Sequence, residues 1–398
     1  KEGWGTDDRM PAKGYFGPAG PMDKGPLDGI TVVDMTQGIC GPHASLLLAD
    51  AGARVIKVEP PEGDYARGFA PPMVDGVSAV FFHLNRNKEG IRLDIRKERE
   101  RQQLLDLLKD ADVFIEETGK RRLNRLGLSY QDLEKLNPGL VHCTISPHGT
   151  KGPLRDQPAS ELTLQAMSDF LNTLGVAGEE PVRMGPDMAS AGTSLFAVHG
   201  ILGALYHKWR TDEGQHIDVS MLATMIHQRG VAWTSMINPD EWAGFYCEGY
   251  VNPPFHGYRT ADQPILLTSV RKQEQLPELL RALGMEEYLE HPLFQNLARD
   301  IMGRSGAVGD LTMRVQPIWE ECFKKWKAAD LLEVLNRFGG TSTVINNYQQ
   351  LFSHPQMKAL GMIRETDHAK LGEIKFLGPP WKLRGVSTVE PQPYSIIR

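Results

Sequence analysis

The chain has 398 residues, 41% of them hydrophobic and 24% charged, with a formal net charge of −6, which is typical of a globular protein with room for two domains. Charges of both signs are interspersed and no apolar run is long enough to span a bilayer, so we expect neither nucleic acid nor a membrane as partner. Four isolated cysteines lack metal-ligand spacing, which predicts no metal site, and free thiols favour a cytoplasmic location.

The N-terminal half shows a regular alternation of predicted strands and helices. Residues 1–27 are rich in glycine and proline and lack periodicity, which predicts an extended N-terminal arm. The strand ITVVDMT at 30–36 is followed by a helix that ends at Gly52, and then by the strand ARVIKVE at 53–59. Further strand and helix patterns alternate up to LVHCTIS. This alternation predicts an α/β fold, with a Rossmann-like large domain built on a parallel sheet.

A change in composition indicates a second domain. The sequence becomes aromatic and rich in glycine and proline at about 230–262, and helical patterns follow. We therefore expect the first part of the large domain at 28–224 and a smaller inserted α/β domain at 225–335. The remaining residues, 336–398, are expected to return to the large domain.

The loops after the first two strands carry weak nucleotide-binding signals. Gly38 and Gly41 follow the first strand but do not complete GxGxxG, so an NAD site is not favoured. Glu59 ends the second strand, where a ribose-binding acid would lie, but an exposed strand-end carboxylate is the simpler interpretation. The basic run KRRLNR at 120–125 is interpreted as a solvated helix start unless a phosphate lies nearby.

A third candidate site is the stretch RMGPDMASAGTSLFAVHGILGAL at 183–205. Small residues lead into an apolar helix there, and ligand sites at helix N-termini are commonly built this way. The polar side chains on offer are Asp187, Ser190, Thr193 and Ser194.

Six blocks, all in register, together resemble the class III CoA-transferases, which include the formyl-CoA and carnitine CoA-transferases. They are LDGITVVDMTQGICGPHASLLLADAGARVIKVEPPEGDYAR (27–67), LNRNKEGIRLDI (84–95), DVFIEE to LVHCTIS (112–146), GPLRDQPASELTLQAMS (152–168), GILGALYHKWRTDEGQHIDVSML (200–222) and HPQMKALGM (354–362). The resemblance implies a Rossmann-like large domain built from both ends of the chain, a smaller inserted domain and an interlaced dimer. It also implies a coenzyme A thioester as substrate and no permanently bound cofactor.

The same resemblance points to a missing nucleophile. In this family an aspartate carboxylate attacks the thioester, and it lies ten residues before the glycine that opens the GILxAL segment. Counting back from Gly200 leads to Ser190, whose hydroxyl would form a stable ester. Asp187 lies one helical turn earlier and would need a register shift to substitute. We therefore expect no catalytic residue in this chain, with Asp187 as the only named substitute.

The resemblance also assigns residues to CoA and reveals departures from the family. The residues matched to CoA-binding positions are Gln37, Gly38, Ile39, Asn85, Lys88 and Arg125. Glu117 and Thr118 replace an asparagine–aromatic pair, and Glu117 is expected to add a negative charge that repels phosphate. Ala159-Ser160-Glu161 replaces the histidine segment of related racemases, which counts against racemisation.

Three functions remain open. The first is a non-catalytic subunit of a heteromeric CoA-transferase, paired with a homologous subunit that carries the aspartate. Such a system would move CoA from succinyl-CoA to an aromatic succinate such as benzylsuccinate, in anaerobic aromatic degradation. The second is an active homodimeric transferase that uses Asp187 or another carboxylate. The third is a CoA-thioester-binding protein without catalytic partner.

Overall fold

The computed structural model describes residues 25–74, 77–171, 180–230, 257–270, 273–295, 307–383 and 389–396. Nearly all of the predicted N-terminal arm and most of the aromatic stretch lie outside the described residues. The chain divides into two compact units. The first runs to Gln228 and resumes at Pro355, and the second runs from Arg229 to His354.

The strands and helices follow one another as the alternating pattern predicts. The strands are β1 (Thr31–Met35), β2 (Arg54–Glu59), β3 (Pro72–Val74), β4 (Val77–Ser78), β5 (Lys88–Arg92), β6 (Val113–Glu116), β7 (Val141–Ser146), β8 (His216–Ser220), β9 (Ile265–Val270), β10 (Gly340–Val344), β11 (Ile363–His368), β12 (Gly372–Leu377) and β13 (Ser395–Ile396). The helices are α1 (Cys40–Asp50), α2 (Ala79–Leu84), α3 (Glu98–Lys109), α4 (Lys120–Leu126), α5 (Tyr130–Leu136), α6 (Glu161–Met167), α7 (Met188–Thr211), α8 (Met221–Gln228), α9 (Leu276–Ala282), α10 (Ala307–Phe323), α11 (Ala328–Arg337), α12 (Tyr348–Ser353) and α13 (Pro355–Leu360).

A parallel sheet of seven strands forms the centre of the first unit. Its order is β13-β5-β2-β1-β6-β7-β8, and every neighbouring pair is parallel. The chain proceeds from β1 towards one edge of the sheet and later from β6 towards the other. The expected α/β fold with a parallel sheet is therefore confirmed. In sheets of this order, ligands bind beyond the carboxyl ends of the two central strands from which the chain proceeds towards opposite edges of the sheet.

Helices cover both faces of this sheet, so nearly all residues of its central strands are buried. On one face, α1 and α7 pack through Ala44, Leu48, Ala197 and Ile201. On the other face, α3 and α5 pack through side chains that include Leu104, Leu108 and Leu133. Among the described residues, α7 alone has the length and hydropathy of a membrane span, yet 50% of its apolar window is buried inside the unit. Core helices commonly pass this test, so it is weak evidence for a membrane.

The second unit has a core of its own. Tyr258, Trp319, Phe323 and Leu331 are buried in it, and β9 pairs antiparallel with β10. Because β10 begins at Gly340 and belongs to this pairing, the unit continues past the expected limit at 335 and ends at His354.

The last part of the chain belongs to the first unit. Strands β11 and β12 form an antiparallel hairpin, and Ile374 and Phe376 of β12 pack against Phe82 of α2. Strand β13 then pairs with β5 at the edge of the main sheet.

Candidate functional site

A crevice opens where the central strands end, at the reversal point of the sheet. It holds a cavity of about 120 Å³. The lining residues come from the ends of four parallel strands and the start of α4; they are Met35, Gln37, Val58, Glu59, Pro60, Pro61, Glu62, Leu93, Asp94, Ile95, Arg96, Thr118 and Arg122. The sequence brings them together because parallel strands end at the same edge of a sheet.

The first loop, at residues 37–39, borders this crevice. The Gln37 N–H donates to Glu117 Oε1 at 2.7 Å, and the Gly38 N–H donates to Asp64 Oδ1 at 2.9 Å. Gly38 has φ +77°, and a Cβ there would lie 2.0 Å from the Tyr65 hydroxyl, so only glycine fits. Of the three residues predicted to line the loop, Gln37 faces the cavity, Gly38 is buried and Ile39 precedes α1.

Asn85 and Lys88, both predicted to bind CoA, lie inside the core. Lys88 Nζ donates to Pro42 O at 2.8 Å and Asn85 Oδ1 at 2.9 Å, and it lies 3.3 Å from Asp34 Oδ2. The three hydrogens of its ammonium group therefore have partners within the protein. Burial lowers the pKa of Lys88 to about 7, although Asp34 opposes that shift. The contact of both residues with CoA stays a prediction.

Asp34 forms the centre of this buried cluster. It accepts hydrogen bonds from Ser45 Oγ at 2.5 Å and from the Thr36 N–H at 2.9 Å. Burial alone would raise the pKa of Asp34, but the ammonium groups of Lys57 and Lys88 outweigh burial and hold it well below its usual range. A charged, fully partnered Asp34 thus ties β1 to α1 and β5.

Glu59 is not the exposed strand-end carboxylate that the sequence suggests. It is 1% exposed, and Arg67 binds its two oxygens at 2.7 Å each. The Tyr394 hydroxyl donates to it at 2.6 Å, and the Asp64 N–H at 2.9 Å. Burial opposes ionisation, but the hydrogen bonds from Arg67 and Tyr394 lower the pKa of Glu59 to about 2. These partners occupy both oxygens, which leaves little room for a ribose.

Glu117 also differs from expectation. Its residue surface is half-buried, yet protein atoms crowd its carboxyl group, and this desolvation raises the pKa of Glu117 to about 8. The carboxyl group is then mostly protonated at pH 7. A protonated Glu117 would not repel phosphate, contrary to the expected effect of its charge.

Two arginines face the crevice, and the predicted Arg125 is not one of them. Arg96 and Arg122 line the cavity, whereas Arg125 is exposed on the same helix as Arg122 and lies outside the lining. The signal for Arg122 was present in KRRLNR, because α4 begins directly after the loop that ends β6. The run is a solvated helix start, as the sequence predicts, because Arg121, Arg122 and Arg125 are all exposed.

The first turn of α7 holds Ser190, which is 7% exposed. The Glu161 carboxylate lies against this turn: Oε1 accepts from the Ala189 N–H at 2.7 Å, and Oε2 accepts from the Ser190 N–H and Oγ at 2.9 Å each. Asp187 is exposed and precedes α7, where its side chain caps no amide of the described helix. Asp187 and Ser190 thus lie at the same helix terminus. Glu161, which was not predicted, lies there as well and contacts Ser190.

The sequence did not predict a role for Glu161, because residues 159–161 were compared only with the histidine segment of related racemases. Ser160 caps α6 through a reciprocal bond pair with Thr163, so that Glu161 is the first residue of that helix. An acid in a capped first turn is common and carries no functional signal by itself. Within the described ranges, no group of three or more His, Cys, Asp or Glu side chains could hold a metal ion.

Comparison with known proteins identifies the family. The family pattern described as CoA-transferase family III matches residues 27–394. The acetyl-CoA:oxalate CoA-transferase of Acetobacter aceti is 31% identical over 382 residues, which cover 94% of this chain and 93% of that protein. The succinyl-CoA:glutarate CoA-transferase of Mus musculus is 29% identical over 356 residues, covering 89% of this chain and 80% of that protein.

A solved structure shows the same architecture. The crystal structure of a CAIB/BAIF family protein from Brucella suis has a TM-score of 0.82 at 29% identity, covering 93% of this chain and 96% of that chain. The family pattern spans nearly the whole chain. The chain belongs to CoA-transferase family III.

Proposed function

We propose that this chain is a subunit of an enzyme that transfers CoA between carboxylic acids. The names of its relatives support this reaction class, since they pair an acyl-CoA with oxalate or glutarate as carboxylate acceptor. The crevice supports a CoA substrate, because it lies at the reversal point of the sheet and presents Arg122, while Arg96 beside it is paired with Asp94 at 2.6 Å. Guanidinium groups bind phosphate oxygens in bidentate geometry. The nucleotide end of CoA would lie there, with Gln37 beside it.

This chain is proposed to be the non-catalytic partner. The observation that carries the proposal is Ser190 in the first turn of α7, at the position where the family resemblance implies an aspartate. A carboxylate nucleophile forms an anhydride from which the acyl group is easily passed on, whereas a serine ester is too stable for rapid exchange. A homologous subunit would supply the aspartate, in an interlaced dimer with this chain.

The substrate pair is a finer part of the proposal. The residue pattern resembles the E subunit of succinyl-CoA:(R)-benzylsuccinate CoA-transferase, which points to succinyl-CoA as donor and an aromatic succinate as acceptor. In the alternative, a homodimer of this chain is active and uses Asp187. Asp187 is exposed next to the start of α7, so a substrate can reach it more easily than a buried carboxylate.

One experiment separates these functions. The chain is expressed alone and together with an aspartate-bearing homologue, incubated with succinyl-CoA, and treated with hydroxylamine to mark acylated carboxylates. We expect no turnover and no marked residue for the chain alone, and a mark on the partner in the complex. Turnover of the chain alone with a mark at Asp187 would establish the homodimeric enzyme. CoA binding without turnover in either preparation would support a binding protein.

A further inference from the structure

A second cavity, of about 100 Å³, lies between the main sheet and the helices α4 and α5. From the sheet it is lined by His142 and Thr144 of β7 and by His216 of β8, and from the helices by Asn124 of α4 and Tyr130 of α5. None of its lining residues lines the crevice at the ends of the central strands. A molecule bound here would therefore not compete with CoA for the proposed site.

His142 is the side chain of this cavity that lacks partners. It is 1% exposed, and among the described residues neither of its ring nitrogens has a hydrogen-bond partner. The neighbouring His216 differs, because its Nε2 lies 3.1 Å from Thr144 Oγ1. Buried polar groups nearly always have a hydrogen-bond partner, and leaving one unpaired costs stability. A molecule in the cavity is the simplest source of the partner that His142 lacks.

Glu116 determines which nitrogen of His142 is available. Its Oε1 lies 3.6 Å from His142 Nε2 and is itself buried without a hydrogen-bond partner in the described part of the chain, whereas its Oε2 accepts the Thr118 N–H at 2.6 Å. A carboxylate beside one ring nitrogen favours the tautomer that carries its hydrogen on that nitrogen. Nδ1 of His142 is then an acceptor that requires a donor.

Hydroxyl groups of the cavity also present acceptor oxygens. Tyr130 OH donates to Glu134 Oε1 at 3.1 Å, and Thr150 Oγ1 donates to Asp218 Oδ2. Both hydroxyls line the cavity, and each uses its only hydrogen on a carboxylate outside the lining. Their oxygens retain lone pairs that accept hydrogen bonds. A ligand that donates hydrogen bonds therefore fits these groups better than one that only accepts them.

The charges around the cavity favour a cation. Its lining contains no lysine, arginine, aspartate or glutamate. Four carboxylates contact lining residues from outside, and they belong to Glu116, Asp132, Glu134 and Asp218. Helix α4 carries three arginines, but none of them lines this cavity. Negative charges close to an uncharged polar cavity attract a positive ligand and repel a negative one.

We propose that this cavity binds a small primary ammonium cation, with His142 Nδ1 as the principal acceptor and the oxygens of Tyr130 and Thr150 as further acceptors. A primary ammonium group supplies three N–H donors, and the surrounding carboxylates compensate its charge. The volume suits a molecule of a few heavy atoms, so the ligand is a small amine. The inference does not depend on the proposed function, because the site shares no lining residue with the crevice.

Methylammonium chloride is the probe for this site, and thermal unfolding of the full chain is the readout. Methylammonium should raise Tm, because a ligand that binds only the folded state stabilises it. Tetramethylammonium chloride at equal concentration is the control, since it carries the same charge but has no N–H donor, and it should leave Tm unchanged. Equal responses to the two salts, or no response to methylammonium, would overturn the proposal.

His142→Leu tests the principal acceptor. Leucine cannot accept a hydrogen bond, so the methylammonium concentration that gives half of the maximal stabilisation should rise at least about fivefold. His207→Leu is the matched control: His207 Nε2 is also buried without a hydrogen-bond partner within the described ranges, but His207 lies on α7 and lines neither cavity. An unchanged response in His142→Leu would count against the proposal.

A measurement on the unchanged chain does not depend on any variant remaining folded. With nitrogen-labelled histidine, the NMR signal of His142 Nδ1 should move when methylammonium is added and stay in place with tetramethylammonium. A signal that ignores methylammonium would show that Nδ1 is not the acceptor and would overturn the assignment. None of these measurements involves CoA or turnover.

Discussion

Asp34 and Lys88 form an ion pair inside the core of the first unit. Both side chains are fully enclosed, and their hydrogen bonds connect β1, α1 and β5. Removing one member of a buried ion pair leaves the other charge without compensation. Lys57 remains near Asp34 in this cluster and would offset part of that loss.

Lys88→Met is expected to lower the free energy of unfolding by about 3–5 kcal/mol, because the variant leaves Asp34 underpartnered in the core. Urea denaturation measures this loss. Lys109→Met is the matched control: Lys109 pairs with Asp106 at the surface, where the loss should stay within about 1 kcal/mol. A similar small loss for Lys88→Met would indicate that Lys88 is not held in the core, in favour of its predicted contact with CoA.

Glu117 gives the stability of the protein a pH dependence with a definite sign. Its pKa is about 8 in the folded protein, above the ordinary 4.5, so the folded state binds more protons between these values. The free energy of unfolding therefore decreases as pH rises through this window. In Glu117→Gln this decrease should be smaller between pH 5 and pH 8, measured by urea denaturation at several pH values.

Glu62→Gln is the control for this pH effect, since Glu62 is exposed in the same crevice. Its pH profile should match that of the unchanged chain. If the free energy of unfolding falls equally with pH in Glu117→Gln and in the unchanged chain, Glu117 is ionised throughout this range. Its negative charge would then repel phosphate, as the sequence predicts.

At the scale of elements, the start of α4 is where the proposed contact with CoA can be tested. Three arginines lie on this short helix, but only Arg122 lines the cavity. Arg122→Ala should weaken CoA binding about fivefold, because a partly solvated guanidinium–phosphate contact contributes about 1 kcal/mol. Calorimetry on the assembled enzyme measures the change.

The neighbouring arginines provide controls within the same helix. Arg121 lies 3.3 Å from Asp156 at the surface, so Arg121→Ala should leave CoA affinity unchanged. Arg125→Ala tests the family-based prediction, since Arg125 lies outside the cavity lining. If Arg125→Ala weakens binding and Arg122→Ala does not, the nucleotide lies elsewhere on α4 than proposed.

The side chain of Tyr394, next to β13, packs against Gly90 of β5, where no side chain is present. A Cβ at Gly90 would lie 1.6 Å from the Tyr394 hydroxyl oxygen. Gly90→Ala should displace Tyr394 from Glu59 and lower the free energy of unfolding by about 1–3 kcal/mol. Gly68→Ala is the control, since a Cβ there meets open space. Comparable stability of the two variants would contradict the docking of Tyr394 on β5.

The elements themselves were predictable, while their long-range partners were not. Alternating strand and helix patterns indicate a parallel sheet because buried strands and amphipathic helices differ in period. Glu59 looked exposed because its partner Tyr394 lies 335 positions away, a distance at which local patterns carry no information. The expected end of the small domain at residue 335 was also too early, because the pairing of β10 with β9 cannot be inferred from either strand alone.

On the scale of the whole molecule, α7 presents an apolar face without cover in the single chain. Leu195, Leu202 and Tyr206 are 53%, 41% and 57% exposed, and their spacing places them on one side of the helix. An interlaced homologous subunit would bury such a face. Leu202→Glu should therefore favour dissociation of the complex, which native mass spectrometry detects.

Leu351→Glu serves as the control for this prediction. Leu351 is similarly exposed, at 38%, but lies on α12 in the second unit. We expect the complex to remain intact in that variant. An intact complex in Leu202→Glu would place the subunit contact on a different surface.

The pairing of β13 with β5 also determines when the main sheet can be completed during synthesis. Asn87 and Gln392 bond to each other across 305 positions of the chain. At about 5–20 residues per second, a ribosome needs about 15–60 s to make the intervening segment. Throughout that interval the outer edge of β5 has no strand beside it, and such edges can pair with other chains. A nascent homologous subunit or a chaperone thus has a defined period in which to bind before the sheet closes.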